Sequence, residues 1–211
     1  MAVNGIGGKH PSSPGRVEPS LQPAEARRIG VRARRRLTRH CRRKLSKRIC
    51  QHLELHAWFR QAEVIGVYQA LPDEVDLALL QHYALRAGKT AVSPVALPDN
   101  VMRRVPIHSR FRRGRFGIAE PAGHARYGQQ RFSSQRIDLL CVPLSAFDAH
   151  FARVGMGGGF YDRWLARRSK RHVCRVVGVA FSCQYVSAIV TAAWDMPIDS
   201  VVTEFGFNRI A

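Results

Sequence analysis

The chain has no apolar run long enough to cross a membrane, and no hydrophobic segment near its N-terminus of the kind a secretory signal needs. It has no Cys-x-x-Cys pair. Its five cysteines, Cys41, Cys50, Cys141, Cys174 and Cys183, are odd in number and irregularly spaced. This argues against a disulfide framework or a zinc site and for reduced thiols in a cytoplasm. His-x-His and His-Glu-x-x-His are absent, so no transition-metal site is proposed. No Ser or Cys sits in a nucleophile elbow, and Cys141, inside an apolar run, reads as core. Acidic residues are scarce: 15 Asp and Glu against 34 Lys and Arg, for a formal net charge of +19.

That imbalance predicts attraction to polyanions: nucleic acid, an anionic membrane or a polyanionic small molecule. Much of the charge lies in Arg27 to Arg48, with further groups at Arg103 to Arg115 and Arg163 to Arg175. Such runs also suit a solvated helix face. A length of 211 residues and 45% hydrophobic content fit one domain with a sizeable core.

Residues Met1 to Gln22, rich in Gly, Pro and Ser, read as a disordered extension, with a single domain over 23–211. Pro23 to about Arg60 has helical periodicity, and Thr38 is a candidate N-cap within it. Val64 to Tyr68 reads as a strand, Leu71 to Glu74 as a turn, and Val75 to Ala87 as a helix closed by Gly88. Thr90 to Val95, Val101 to Ile107 (at an edge), Ile137 to Val142, Val173 to Phe181 and Val201 to Thr203 are further strand candidates. Ser109 to Gln135 reads as irregular. Strands alternating with helices predict an α/β fold whose ligands sit beyond the carboxyl ends of the strands.

The densest motif is Arg153-Val154-Gly155-Met156-Gly157-Gly158-Gly159-Phe160-Tyr161-Asp162-Arg163, with four glycines in five residues. It stands between an apolar strand and a helix-like run from Tyr161 to Arg168. Glycines there let the backbone approach an anion, and the following helix start adds partial positive charge. Asp162 offers a hard oxygen ligand for Mg²⁺. No Lys-Ser/Thr follows the glycines and the third glycine of the dinucleotide fingerprint is missing, so neither common phosphate loop is present. A glycine-rich turn is the plainer alternative. Asp73, Glu74 and Asp76 could fix a polar ligand through Glu74, or merely favour a helix N-terminus. Asp195, in Trp194 to Asp199, could join Asp162 on Mg²⁺, or serve a turn before Pro197.

Together these segments resemble the 5-formyltetrahydrofolate cyclo-ligase (methenyltetrahydrofolate synthetase) family over about residues 23 to 205. The resemblance is most specific in Val142 to Asp148 and Arg153 to Arg163. Tyr68 to Asp76, Gly117 to Pro121 and Trp194 to Glu204 add to it. It implies a Rossmann-like, mostly parallel sheet with helices on both faces, similar to the ribose-phosphate isomerase/CoA transferase-like fold. It also implies MgATP-dependent conversion of 5-formyltetrahydrofolate to 5,10-methenyltetrahydrofolate, with release of ADP and phosphate.

Carried over by position, Arg153, Val154, Gly155, Met156, Gly157, Gly158, Gly159, Phe160 and Tyr161 would wrap the ATP phosphates, and Arg153 would stabilise charge during transfer. Arg27 would reach the nucleotide. Glu74 would grip the pterin beside Gln69. Met156 to Phe160 would also face the formyl group, and Asp162 and Asp195 would hold Mg²⁺. The chain departs from the family pattern at Pro23 (usually Lys or Arg), Leu77 (usually Thr) and Phe151 (usually Gly). The segment from Pro98 to Gly117 is short and arginine-rich. Arg28 or Arg32 would stand in for the cation missing at Pro23.

The competing class is a nucleic-acid binder using the basic helix. Arg27 to Arg48 holds no aromatic residue for base stacking, and such a protein has no need of Arg153, Asp162 and Asp195 together. The expected partners are therefore small molecules, with polyglutamylated folate suited to the positive charge, and a monomer is expected.

Overall fold

The structure, a computed structural model, describes residues 20–96, 102–106, 111–113, 119–121, 137–166 and 173–208. The extension expected over Met1 to Gln22 lies outside these up to residue 19. From there the chain is already paired, with Leu21 bridging Ile189. Most of the irregular stretch expected over Ser109 to Gln135, and much of Pro98 to Gly117, also fall outside.

The helical stretch expected from Pro23 to about Arg60, with a restart at Thr38, is three helices: α1 (Pro23–Arg36), α2 (Arg39–Leu55) and α3 (Ala57–Gln61). Thr38 causes the first break. Its backbone is extended and its hydroxyl accepts the Cys41 N–H at 3.1 Å, capping α2 as expected. The His56 ring does the same for Trp58 N–H at 3.3 Å and starts α3. Within α1, Pro23 occupies the first turn, where a missing N–H is harmless, and Arg34 to Arg36 end the helix where cations suit its dipole.

β1 (Val64–Gly66) leads through a loop to α4 (Ala78–Arg86) and β2 (Thr90–Ala96). α4 starts later than expected because Val75 and Leu77 are buried in the core rather than wound into the helix. β3 (Met102–Pro106) pairs antiparallel with β2 and forms one edge. β4 (Phe111–Arg113) and β5 (Ala119–Pro121) make a separate pair. β6 (Leu139–Pro143) is followed by a small hairpin, β7 (Ala146–Phe147) and β8 (Arg153–Val154), which periodicity did not reveal. α5 (Phe160–Ala166), β9 (Arg175–Val179), β10 (Ser200–Thr203) and the two-residue edge β11 (Gly206–Phe207) complete the described elements.

The sheet order is β11-β10-β9-β6-β1-β2-β3, and its five central strands are parallel. Strands buried on both faces should be apolar without alternation, and β6 shows why. Leu139 and Cys141 enter one core with Ile49, Leu53 and Leu80 from α2 and α4. Leu140 and Val142 enter the other with Leu165 of α5. Helices thus cover both faces, as expected, and Cys141 is core.

α1 packs on the hairpin β7–β8 and on the 3-10 turn Ser182–Gln184. Its buried stripe is Ala26, Gly30 and Arg34, at four-residue spacing. Gly30 is the close-approach point: a Cβ there would sit 2.1 Å from the Ser145 carbonyl oxygen. Gly30→Ala should therefore destabilise the protein by about 1–3 kcal/mol through overpacking, although Ala alone would favour the helix by about 1 kcal/mol. Urea unfolding decides between them; a stabilised variant would mean α1 is not seated this tightly.

Candidate active site

The parallel strands run β2-β1-β6-β9-β10 across the sheet, so chain order reverses between β1 and β6. Ligands on such sheets bind beyond the carboxyl ends of the strands at that switch point. The loop after β1 carries Gln69 to Glu74, and the chain after β6 carries the hairpin and the glycine loop. A cleft of about 680 Å³ opens between them, lined by Arg27, Glu74, Ser145, the stretch 153–163, Trp194 and Asp195.

The glycine loop is held from outside by its carbonyls. Arg27 Nε donates to Gly155 O at 2.7 Å, and Arg163 Nη2 to Gly158 O at 2.6 Å. Gly157 and Gly159 take φ of 89° and 59°, left-handed values that glycine alone adopts without strain. Among the described residues, none of the five backbone N–H groups from Gly155 to Gly159 has an acceptor. Successive free N–H groups in such a turn form a cradle for an anion.

Arg153 is nearly buried, at 8% side-chain exposure. Its Nη2 donates to Asp162 Oδ1 at 2.6 Å and to Met196 O at 3.1 Å, while its Nε is buried without a partner. Asp162 Oδ1 also accepts the Met196 N–H at 3.2 Å. Asp195 is exposed, and its Oδ2 accepts the Ala192 N–H at 2.8 Å, closing the turn before Pro197. Each carboxylate keeps one oxygen without a hydrogen bond among the described residues. Two such oxygens suit Mg²⁺, which takes one or two carboxylates together with water and phosphate oxygens. No cluster of three or more acidic, His or Cys side chains occurs among the described residues. Met156 and Trp194, 59% and 77% exposed, give the cleft an apolar rim.

Glu74 forms the opposite wall. Its Oε2 accepts the Leu71 N–H at 3.0 Å and its Oε1 lies 3.6 Å from Arg34 Nη1. Burial raises the Glu74 carboxyl above its ordinary value; the Leu71 N–H and Arg34 offset part of this. Arg34 is 1% exposed and also donates through Nε and Nη2 to the two oxygens of Asp73, at 3.3 and 3.4 Å, and through Nη1 to Leu144 O at 3.2 Å. Burial would raise Asp73, but its bonds to Arg35 and Arg34 hold it below the usual carboxylate range. Tyr161 is pushed up by burial and by the Glu74 charge.

The structure therefore brings every anticipated site residue to one cleft except Gln69. That side chain does not line it, and its Nε2 is buried without a partner. Pro23 lines the cleft with no cation to offer. Arg28 and Arg32 lie in the adjoining groove along α1, so neither replaces that cation in the cleft. Leu77 is a core residue, and Phe151 holds a left-handed φ of 62° where the family pattern has glycine. Arg34 and Ser145 were not anticipated as site residues, while Asp73 was singled out only within the acidic cluster and Arg163 only as the closing residue of the glycine motif. The signal for Arg34 was its place four residues after Gly30 and eight after Ala26, a narrow small-residue stripe ending in a cation.

An amide cradle, two clamping arginines and two carboxylates stand at the switch point of a parallel sheet, where α/β enzymes bind their ligands. The sequence model of the 5-formyltetrahydrofolate cyclo-ligase family matches residues 23–204, and the chain belongs to that family of ligases. It is 31% identical over 178 residues to the 5-formyltetrahydrofolate cyclo-ligase of Escherichia coli K12, covering 82% of this chain and 96% of that one. The Haemophilus influenzae cyclo-ligase is 32% identical over 148 residues, 68% of this chain and 76% of that one. The solution structure of Aquifex aeolicus 5,10-methenyltetrahydrofolate synthetase superposes with a TM-score of 0.70 at 30% identity, covering 89% of this chain and 92% of that one.

Replacing Arg34 by Met should cost about 3–5 kcal/mol at neutral pH, because Asp73 and Glu74 lose their buried cation. The gap from the unaltered protein should narrow on acidification. Glu74, raised, protonates first, from above the ordinary Glu range. The depressed Asp73 keeps its contribution until pH falls through its lowered value. Urea unfolding between neutral and acid pH measures the gap; a constant gap would show that the cation is not neutralising these carboxylates.

Proposed function

We propose that this protein catalyses the MgATP-dependent conversion of 5-formyltetrahydrofolate to 5,10-methenyltetrahydrofolate, releasing ADP and phosphate. The observation that carries the reading is the row of unpaired N–H groups from Gly155 to Gly159, set between Arg153 and Arg27 and opposite Glu74. In the reaction the γ-phosphoryl group passes to the formyl oxygen. The neighbouring folate nitrogen then attacks the formyl carbon, and the carbon–oxygen bond breaks as phosphate leaves.

Phosphoryl transfer asks the protein for position and charge more than for a covalent nucleophile. The cradle would orient the phosphates by its N–H groups. Arg27, whose guanidinium flanks Gly157, would hold the loop and meet the nucleotide. Arg153, with an unspent Nε, would neutralise charge as the phosphoryl group moves. Mg²⁺, held by Asp162 and Asp195, would supply further neutralisation to the phosphates. Glu74, an acceptor fixed in the wall, would take N–H donors of the pterin without Gln69, whose side chain does not line the cleft. Met156 and Phe160 would screen the formyl group from water. Small molecules, a monomer and the cytoplasm complete the proposal; among the described residues no helix is long and apolar enough to cross a membrane.

Near-ultraviolet absorbance of the methenyl product, followed with ATP-free and Mg-free controls, tests this directly. Asp162→Asn keeps an acceptor for Arg153 and for the Met196 N–H but removes the charge. It should lower kcat by about 10³-fold, the scale of lost charge stabilisation in phosphoryl transfer, with a loss of thermal stability far smaller than that of activity, because the amide oxygen and Met196 O still accept from Arg153. A parallel collapse of stability and activity would assign Asp162 a structural role instead. Glu74→Gln should raise KM for the folate and leave KM for ATP near its starting value.

A further inference from the structure

Arg34 makes contacts that Glu74 needs and that no ligand is required to explain. It is a cation buried to 1% exposure at the end of α1, yet its partners come from separate parts of the chain. Asp73 takes Nε and Nη2 through its two oxygens, which fixes the plane and direction of the guanidinium. The remaining nitrogen, Nη1, then points at Leu144 O, 3.2 Å away, and at Glu74 Oε1, 3.6 Å away. Leu144 O is itself fixed, since Gln184 Nε2 donates to it at 2.6 Å and to Ser145 O at 3.0 Å. Arg35 donates to Asp73 Oδ2 at 2.9 Å and so steadies the fork from the solvent side. Seven residues back along α1, Arg27 holds the glycine loop at Gly155. One helix thus seats both walls of the cleft.

We infer that Arg34 is a positioning residue for the folate subsite: its guanidinium, seated by Asp73 and Leu144, sets where the Glu74 carboxylate lies in the cleft. The inference rests on the function proposed above and deepens it. Arg34 itself is enclosed and does not line the cleft, so it acts through Glu74 rather than on the substrate. The ionisable groups around Glu74 are Arg34 from α1, Asp73 from its own loop, Tyr68 at the end of β1 and Tyr161 from α5. Cys183, on the 3-10 turn, responds to the Arg34 charge. Of these, Arg34 alone is a cation, and Asp73 is the group that orients it.

Because Arg34→Met threatens the fold, the test uses Arg34→Lys, which keeps the charge but cannot fork, and Asp73→Asn, which keeps one acceptor for the fork at a partly exposed residue while Glu74 still faces the guanidinium. Steady-state turnover of 5-formyltetrahydrofolate is measured for both variants over a range of pH, with thermal unfolding alongside. Each variant should raise KM for the folate about tenfold, the scale of one weakened charged hydrogen bond, while KM for ATP stays within about twofold. In Arg34→Lys the acid limb of kcat/KM for the folate should also move to higher pH, since a looser cation leaves Glu74 easier to protonate. Equal rises in both KM values, or unchanged KM values with an unmoved acid limb, would overturn the inference and leave Arg34 a purely structural ion. If Arg34→Lys does not fold, Asp73→Asn decides by its KM split. Absence of turnover in the unaltered protein would instead sink the proposed function, and this inference with it.

Discussion

A guanidinium taken out of water must find its partners inside the protein, and Arg34 imposes that demand on the rest of the structure. Removing a charge from solvent is tolerable only where opposite charge and hydrogen-bond acceptors surround it. Arg34 has two carboxylates and a main-chain carbonyl. Meeting that requirement forces α1, the loop after β1 and the chain after β6 to one point. Ala26 and Gly30 let the helix come close enough for the arginine to reach. The same convergence places Glu74 and the glycine loop on facing walls.

The opposite wall is built on donors left open to the cleft. The glycine loop is largely open to solvent, and it leaves its N–H groups without protein acceptors while its carbonyls take Arg27 and Arg163. Left-handed backbone at Gly157 and Gly159 maintains that arrangement. Phe151 holds a similar angle just before the loop without glycine's freedom, and its ring packs against the core beneath α5. Backbone strain there, of about 1–3 kcal/mol, is set against the burial of an aromatic side chain.

The sheet and the loop were legible because their signals are local. Apolar runs such as Ile137 to Val142 and the density of glycine between Arg153 and Arg163 need no partner to be recognised. The helix breaks at Thr38 and His56 were harder. Thr38 was visible as a cap, whereas a histidine ring serving as one at His56 was not. The hairpin β7–β8 has strands too short for any periodicity to register, and its turn depends on Asp148, whose carboxylate binds N–H groups as distant as Ile189. Arg34 was hidden among cations of identical composition: Arg32, Arg35 and Arg36 look the same in sequence and are exposed. Only the register of α1 against the hairpin separates the buried arginine from the others. Gln69 was placed with Glu74 by the family resemblance, but the turn between them carries the two side chains to different surroundings.

The contacts of α1 span long stretches of chain: 110 residues separate Arg34 from Leu144, and 128 separate Arg27 from Gly155. Contacts so distant in sequence pay their loop-closure entropy before they return any stabilisation, and they form slowly. The cleft between those walls exists only while such distant contacts stay closed, so whatever binds there adds its binding energy to keeping the first helix in place.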